Sequence, residues 1–321
     1  MTDTLSSFAP AWWCRNTHLQ TIAATFRPSP PVPLTRVRWE LPDGDFLDID
    51  ELAAGPSAPR LIVLHGLESS SRAVAVLTLL HEARRRGWGA AAVNFRGCSG
   101  EPNRLRRSYH GGDTGDLAWI VSQVSARHPN SPLGCVGISL GGNVLLKYLG
   151  EQGDALPAQV RAAATISTPF DLAASVQTLG QGFSRVYQGR LVASLKRKTL
   201  TKLVRYPGLV DRQALSAART LAAFDDLVTA PLHGFANAAA YWAASSSAAF
   251  LARIRRPTLL INAEDDPFLP GAALPRALVA TNPLLTTAFT PHGGHVGFLA
   301  DRPPRAWAEA RAAEFLAGQL R

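Results

Sequence analysis

Short apolar runs alternate along most of the chain with longer stretches of helical periodicity, and this alternation restricts the fold more than any other feature. The strand-like runs are residues 60–65, 90–95, 133–138, 160–167 and 258–263, and the helix-like stretches are residues 73–86, 113–127, 140–149 and 305–316. Strands that are buried on both faces are continuously apolar, and parallel neighbours need a helical crossover between them. We therefore predict an α/β fold with a mostly parallel central sheet flanked by helices.

A hairpin precedes this alternation and one long insertion interrupts it. Residues 35–52 alternate in polarity around the turn signal Asp43-Gly44, which predicts a β-hairpin. Residues 169–256 are too many for a structureless loop and have a mainly helical pattern. We therefore predict a core formed by residues 1–168 and 257–321 and a helical cap formed by residues 169–256. Extra packed helices without a gating role are the alternative.

The GxSxG motif Gly137-Ile138-Ser139-Leu140-Gly141 stands between the strand-like run 133–138 and the helix-like stretch 140–149. A serine on such a sharp strand-to-helix turn has a strained backbone and crowded neighbours, so glycine is needed two residues to either side. The turn presents the serine hydroxyl at the edge of the sheet. The motif therefore predicts that Ser139 is a nucleophile.

A serine hydroxyl becomes reactive when a base takes its proton and an acid orients that base. Asp266 follows the run 258–263, and His295 lies further downstream. This order of serine, acid and histidine is that of the α/β-hydrolase fold. We predict a triad of Ser139, His295 as general base and Asp266 as orienting acid. Because Asp266 precedes a proline and is biased toward an extended backbone, Asp265 is expected to point to solvent or to cap a turn.

An acyl-transfer site also needs N–H donors for the oxyanion of the tetrahedral intermediate. One predicted donor is the backbone N–H of Leu140, immediately after the nucleophile, and the other is the N–H of Leu67, in the loop after the run 60–65. A rival sequence, His110-Gly111-Gly112, does not directly follow a strand-like run. It remains the alternative for the second donor.

The charge of the chain argues against a nucleic-acid-binding protein. Its net charge of +9 arises from 29 Arg and 4 Lys that are spread along the whole sequence, without a recognisable binding module. One local basic cluster consists of Lys196, Arg197, Lys198, Lys202 and Arg205. It predicts either a solvated helix face or peripheral contact with an anionic membrane.

Cysteine usage and the absence of targeting patterns indicate a cytoplasmic protein. Cys14, Cys98 and Cys135 show neither a CxxC pair nor Cys/His metal spacing, so no disulfide and no metal site are predicted. Residues 1–16 lack the basic and apolar regions of a signal peptide. The longest stretch without charged residues, 227–252, contains a proline and many polar residues and is not predicted to be a transmembrane helix.

Long sequence blocks resemble one branch of the α/β-hydrolases, the YheT-like hydrolases related to plant embryogenesis-associated proteins. The blocks are RNTHLQT from Arg15, LHGLESSS from Leu64, NFRGCSGEPNRLRRSYH from Asn94, GISLGGNVLLKYLGE from Gly137, FDDLVTAPLHGF from Phe224, DDPFLP from Asp265 and GGHVGFL from Gly293. The resemblance implies that Ser139, Asp266 and His295 are the family's triad. It also implies short- to medium-chain carboxylic esters, acylglycerols or phospholipids as substrates.

These observations predict a serine hydrolase that cleaves a small-molecule carboxylic ester through an acyl-enzyme on Ser139. The mechanism needs no metal and no organic cofactor. Two alternatives remain open. One is an acyltransferase that uses the same triad, and the other is a non-catalytic binding protein of the same fold.

Overall fold

The computed structural model describes residues 8–301 and 305–321. The first seven residues, which belong to the segment predicted to lack signal-peptide features, lie outside the described residues. One eight-stranded sheet with the strand order β1-β2-β4-β3-β5-β6-β7-β8 organises the described part. Its strands are β1 Thr35–Glu40, β2 Phe46–Leu52, β3 Arg60–Leu64, β4 Gly89–Val93, β5 Leu133–Ile138, β6 Val160–Ile166, β7 Thr258–Ala263 and β8 Leu285–Thr290.

The sheet is parallel except at one edge. Strands β3 to β8 run parallel to one another, whereas β1 and β2 form an antiparallel hairpin, and β2 joins the sheet by antiparallel pairing with β4. The hairpin turns at the predicted position, where Gly44 has a φ of 83° and donates its N–H to the carbonyl of Leu41. This arrangement confirms the predicted α/β fold with a mostly parallel central sheet.

Helices cover both faces of the sheet and fill the insertion between β6 and β7. They are α1 Thr17–Phe26, α2 Val74–Arg85, α3 Thr114–Arg127, α4 Leu140–Gln152, α5 Leu172–Leu179, α6 Ser184–Arg205, α7 Arg212–Ala217, α8 Leu221–Phe224, α9 Ala230–Leu232, α10 Ala238–Ser245, α11 Arg276–Ala280 and α12 Trp307–Gln319. A π-helical turn, Asp225–Thr229, joins α8 to α9. Across residues 8–301 and 305–321, no helix is both long and apolar enough to cross a membrane.

Alternating side chains of each central strand enter two separate hydrophobic layers. In β3, Ile62 and Leu64 pack on the face covered by α3 and α4, whereas Leu61 and Val63 pack on the face covered by α2 and α12. All five residues of β3 are buried. This burial on both faces explains why the central strands are continuously apolar in the sequence.

Two elements differ from the sequence patterns that predicted the others. Strand β8 is at the edge of the sheet, and two of the threonines in its sequence LTTAFT, Thr286 and Thr287, are exposed, so it lacks a continuous apolar run. Helix α1 begins at the N-cap Asn16, whose side chain accepts hydrogen bonds from the N–H groups of His18 and Leu19. Its buried face is formed largely by Gln20 and Thr21, so hydrophobic periodicity does not identify it.

Candidate active site

Loops at the carboxyl ends of β5, β7 and β8 bring the three predicted triad residues together. Ser139 Oγ lies 2.9 Å from His295 Nε2, and His295 Nδ1 lies 2.8 Å from Asp266 Oδ2. The carboxyl group of Asp266 is fully buried, and the imidazole of His295 is 10% exposed. In this geometry the serine hydroxyl donates to the imidazole, whose Nδ1–H donates to the carboxylate. The arrangement can therefore move a proton from Ser139 to His295.

The turn at Ser139 has the strain that the GxSxG motif predicts. The φ and ψ angles of Ser139 are 52° and −122°, a region that L-amino acids rarely adopt. A Cβ on Gly137 would lie 2.5 Å from the carbonyl oxygen of Gly141, and a Cβ on Gly141 would lie 2.6 Å from the carbonyl oxygen of His65. Both glycines are therefore required by close backbone contacts.

Other strained residues gather at the same edge of the sheet. Within the described ranges, the remaining non-glycine residues with positive φ are Glu68, Ser167, Val296 and Phe298. Glu68 follows β3, Ser167 follows β6, and the other two follow β8. Strained backbone of this kind collects at functional sites, where the surrounding structure holds it in place.

Two further residues hold Asp266 and His295 in position. The N–H of Phe268 donates to Asp266 Oδ1 at 2.8 Å, and the ring of Phe268 stacks on the imidazole of His295 with 4.0 Å between centroids and 3° between planes. Thr21, on helix α1, accepts the backbone N–H of His295 at 2.9 Å. Sequence spacing did not identify either residue. Both lie within the blocks that carry the family resemblance.

The neighbouring carboxylate, Asp265, has different hydrogen-bond partners from Asp266. Its Oδ1 accepts the N–H of Gly294 at 3.0 Å, and its Oδ2 lies 3.2 Å from His292 Nδ1. Asp265 therefore braces the loop that carries His295, and it does not contact the imidazole of His295. The two adjacent carboxylates point to different partners, as side chains on an extended segment do.

The two predicted oxyanion donors lie beside Ser139. Leu140 directly follows Ser139, and a Cβ on Gly66 would lie 3.1 Å from Ser139 Cβ, so the Gly66–Leu67 peptide passes close to the serine. Among residues 8–301 and 305–321, the N–H groups of Leu67 and Leu140 have no hydrogen-bond acceptor. Both are therefore available to a bound oxyanion.

His65 orients the Gly66–Leu67 peptide. Its Nδ1–H donates to the carbonyl of Gly66 at 2.7 Å, and its Nε2 accepts the N–H of Phe95 at 3.2 Å. Burial lowers the pKa of His65 to about 4, so the imidazole is neutral and can make both bonds at pH 7. Because a trans peptide is planar, fixing the Gly66 carbonyl also fixes the opposite direction of the Leu67 N–H.

The rival HGG sequence has no free donor at this position. The N–H of Gly111 donates to the Tyr241 hydroxyl at 2.9 Å, and the N–H of Gly112 donates to His110 Nδ1 at 3.1 Å. These groups would have to break existing hydrogen bonds to serve an oxyanion. The geometry therefore favours Leu67 as the second donor.

The loop that carries Leu67 is tied to the insertion through Glu68. The carboxylate of Glu68 accepts hydrogen bonds from Lys198 Nζ at 2.9 Å, Ser194 Oγ at 2.6 Å and Tyr109 Oη at 2.9 Å. Lys198 and Ser194 both lie on α6. This buried contact joins the loop that carries Leu67 to a helix of the insertion.

The predicted basic cluster does not form one exposed face, which corrects the expectation from sequence. Lys198 is paired with Glu68, and Lys202 is buried and donates to the carbonyls of residues 105, 106 and 107. Burial lowers the pKa of Lys202 to about 8. Lys196 donates to the carbonyls of Ser216 and Ala218. Three of the five basic side chains in the cluster are therefore bonded to groups in other parts of the chain.

A cavity of about 720 Å³ opens beside Ser139 and His295, and the insertion supplies much of its wall. The apolar residues that α5 and α6 contribute to the wall include Leu172, Val176, Leu179, Leu191 and Leu195. Such a cavity is large enough for a small organic ligand.

A polar group occupies one part of this cavity wall. Asp225, in the π-helical turn, accepts hydrogen bonds from Thr229 Oγ1 at 2.7 Å and from Trp242 Nε1 at 2.9 Å. Burial raises the pKa of Asp225 to about 6. Trp242 lines the cavity, whereas Phe235 packs against the rings of His110 and Tyr241 and is not among the described lining residues.

Comparison with known proteins agrees with this architecture. A sequence model of the family described as "alpha/beta hydrolase fold" matches residues 59–301. The chain is 40% identical to "Putative esterase YheT" of Escherichia coli strain K12, over 98% of this chain and 94% of that protein. It is 32% identical to "Monoacylglycerol lipase" of Saccharomyces cerevisiae, over 88% of this chain and 63% of that protein.

A solved structure supports the same fold at lower sequence identity. The Pyrococcus furiosus esterase Pf2001 superimposes with a TM-score of 0.60 at 18% identity, covering 92% of this chain and 99% of that chain. Identity at this level speaks for the fold alone. The family match and the 40% identity to a full-length relative go further: the chain belongs to the α/β-hydrolase family, and within it to the YheT-like branch.

Proposed function

We propose that this chain hydrolyses carboxylic esters with an apolar acyl group through an acyl-enzyme on Ser139. The observation that carries the proposal is the hydrogen-bonded series from Ser139 through His295 to Asp266, whose Ser139 end lies at a largely apolar cavity. Esterase- and lipase-like relatives support hydrolysis as the reaction type. Three free cysteines are compatible with the cytoplasmic location that we include in the proposal.

In the first half of the proposed reaction, His295 Nε2 takes the hydroxyl proton as Ser139 Oγ attacks the ester carbonyl carbon. The N–H groups of Leu67 and Leu140 receive the oxyanion of the tetrahedral intermediate. The intermediate collapses as the bond to the alcohol oxygen breaks, and His295 gives its proton to that oxygen. Asp266 stabilises the imidazolium that exists between the two proton transfers.

In the second half, water replaces the alcohol. His295 takes a proton from the water molecule, and the resulting hydroxide attacks the acyl carbon of the acyl-enzyme. The same two N–H groups receive the second oxyanion. Collapse of this intermediate returns the proton to Ser139 Oγ and releases the carboxylic acid.

The insertion is proposed to act as a cap that determines which acyl groups are accepted. Apolar side chains of α5 and α6 line the cavity, and burial of each CH₂ group there is worth about 0.8 kcal/mol. Short- to medium-chain esters, including acylglycerols, are the substrate class that we favour. The name of the yeast relative, a monoacylglycerol lipase, supports this choice.

Hydrolysis of a series of nitrophenyl esters from acetate to palmitate tests the proposed function. We expect turnover by the wild-type chain, with a maximum in kcat/KM at a short or medium acyl chain and release of one carboxylic acid per nitrophenol. Nitrophenol release that instead requires an added alcohol, and yields its ester, would indicate acyl transfer. Absence of turnover across the whole series would reject the proposed activity.

Replacing Trp242 by alanine is expected to move the acyl-chain optimum toward longer esters, because Trp242 lines the cavity and its removal enlarges the space. We expect a gain in relative kcat/KM of about fourfold for each additional CH₂ that the enlarged cavity accepts. Phe235→Ala is the matched control, because Phe235 contacts His110 and Tyr241 instead. The same ester series measures both variants. An unchanged profile for Trp242→Ala would count against the cap.

A further inference from the structure

A patch of exposed apolar side chains surrounds the entrance to the cavity. Leu19, Ile22 and Phe26 lie three and four residues apart on α1 and form one stripe on its outer side. Phe183 and Val186 extend the patch at the start of α6. Phe26 is 79% exposed and Val186 is 60% exposed. We call these five residues the entrance face.

Helix α1 and the start of α6 touch each other beside the entrance face. The ring of His18 on α1 lies 4.7 Å from the ring of Phe183, and His18 Nδ1 lies 3.2 Å from the hydroxyl of Tyr187 on α6. These contacts join the core helix α1 to the insertion and bring the two parts of the entrance face next to each other. A contiguous exposed apolar patch is typical of a surface that meets a protein or a membrane.

The entrance face is also continuous with the candidate active site. Four of its residues, all except Leu19, line the cavity. A series of ring contacts leads inward from Phe183 to Tyr187 at 5.7 Å, from Tyr187 to Phe268 at 4.9 Å and from Phe268 to His295 at 4.0 Å. Aromatic rings therefore line the wall from the face to His295, which is hydrogen-bonded to Ser139.

Positive charge accompanies the apolar surface. Arg185 and Arg190 are exposed on the first part of α6, and Arg190 also lines the cavity. Neither arginine has a carboxylate within 4.0 Å among residues 8–301 and 305–321. Helices α1 and α6 contain no acidic residue. The entrance face therefore lies beside cations that the rest of the described chain does not neutralise.

We propose that the entrance face, with Arg185 and Arg190, docks onto the surface of an anionic lipid bilayer. Apolar side chains that enter the interface between headgroups and acyl chains, flanked by arginines at the headgroups, are the pattern of interfacial binding. A second copy of this chain fits the face less well, because a two-fold contact would bring the same arginines together. Docking goes beyond ester hydrolysis and does not depend on it.

Vesicle sedimentation tests this docking in the Ser139→Ala background, in which the lipid is not consumed. We expect binding to vesicles of equimolar phosphatidylcholine and phosphatidylglycerol, and weaker binding to phosphatidylcholine alone. Phe26→Ser and Phe183→Ser are each expected to weaken binding to the anionic vesicles about tenfold, because each variant lacks an aromatic ring that the bilayer would otherwise bury. Arg185→Gln and Arg190→Gln are each expected to weaken it about fivefold.

Two controls separate the entrance face from the rest of α6. Val204 is 86% exposed near the far end of this helix, and Val204→Ser should leave binding unchanged. Arg197→Gln, which removes a charge from the original basic cluster, should also leave it unchanged. Equal losses in the control and entrance-face variants would overturn the proposal. Equal binding to neutral and anionic vesicles would also overturn it. A chain that binds no lipid but self-associates, and loses this self-association in Phe26→Ser, would overturn it as well.

Vesicle sedimentation measures binding and does not require turnover, so it remains informative even if the chain fails to hydrolyse the ester series. A wild-type chain that binds vesicles and cleaves no ester would reject the proposed function alone. A chain that cleaves soluble esters and ignores anionic vesicles would reject the docking proposal alone. The two proposals are thus tested by different outcomes.

Discussion

Replacing Ser139 by alanine is expected to lower kcat for nitrophenyl ester hydrolysis by roughly a million-fold, as loss of a serine nucleophile does in other hydrolases. The expectation follows from the position of Ser139 Oγ, 2.9 Å from His295 Nε2, on a strained turn at the cavity. No other hydroxyl is hydrogen-bonded to this imidazole within the described part of the chain. Steady-state kinetics with the purified variant measures the loss.

A thermal unfolding curve should accompany this measurement. Ser139→Ala retains the Cβ and is expected to fold like the wild type, since the variant loses only the hydroxyl and its hydrogen bond to His295. A folded variant that keeps more than a small fraction of wild-type turnover would show that another residue performs the attack.

The second large effect is expected from Asp266→Asn, which should fold normally and lower kcat by about four orders of magnitude. Asp266 Oδ2 is 2.8 Å from His295 Nδ1 and is fully buried. An amide at this position can favour the wrong imidazole tautomer and cannot stabilise the imidazolium. The ratio of kcat values for the variant and the wild type, on one soluble ester, measures the effect.

Asp265→Asn is the matched control for this prediction, and it should lower kcat by less than about tenfold. An asparagine Oδ1 can still accept the N–H of Gly294, so the loop that carries His295 keeps its brace. A larger loss in Asp265→Asn than in Asp266→Asn would place the orienting acid one residue earlier. Small losses in both would mean that neither carboxylate orients His295.

The parts of the fold that the sequence predicts are those with a strong local pattern, and the clearest of them are buried on both sides. Strand β5 and helix α4 are buried along nearly their whole lengths, so a continuous apolar run and the GxSxG motif are enough to indicate them. The close contacts at Gly137 and Gly141 then explain why the motif has its spacing. A short stretch of sequence is enough to predict this turn because the close contacts that require the glycines lie at the turn itself.

The spacing of residue types along the sequence does not by itself predict contacts between distant parts of the chain. Strand β8 is stabilised by its pairing with β7, which a partly exposed threonine-rich sequence does not indicate. Thr21 reaches the backbone of His295 across more than two hundred residues, and Lys198 turns inward because Glu68 is there to receive it. The basic cluster is misleading for the same reason, since sequence does not show which lysines have internal partners.

Reaction with a fluorophosphonate probe, followed by mass spectrometry of the labelled peptides, tests the central claim most directly. Such a probe forms a covalent bond only with a serine that is activated for nucleophilic attack. We predict one phosphonylated peptide, modified at Ser139, with labelling abolished in Ser139→Ala and strongly slowed in Asp266→Asn. An unlabelled wild-type chain, or a label on a different residue, would contradict the assignment of Ser139 as the nucleophile.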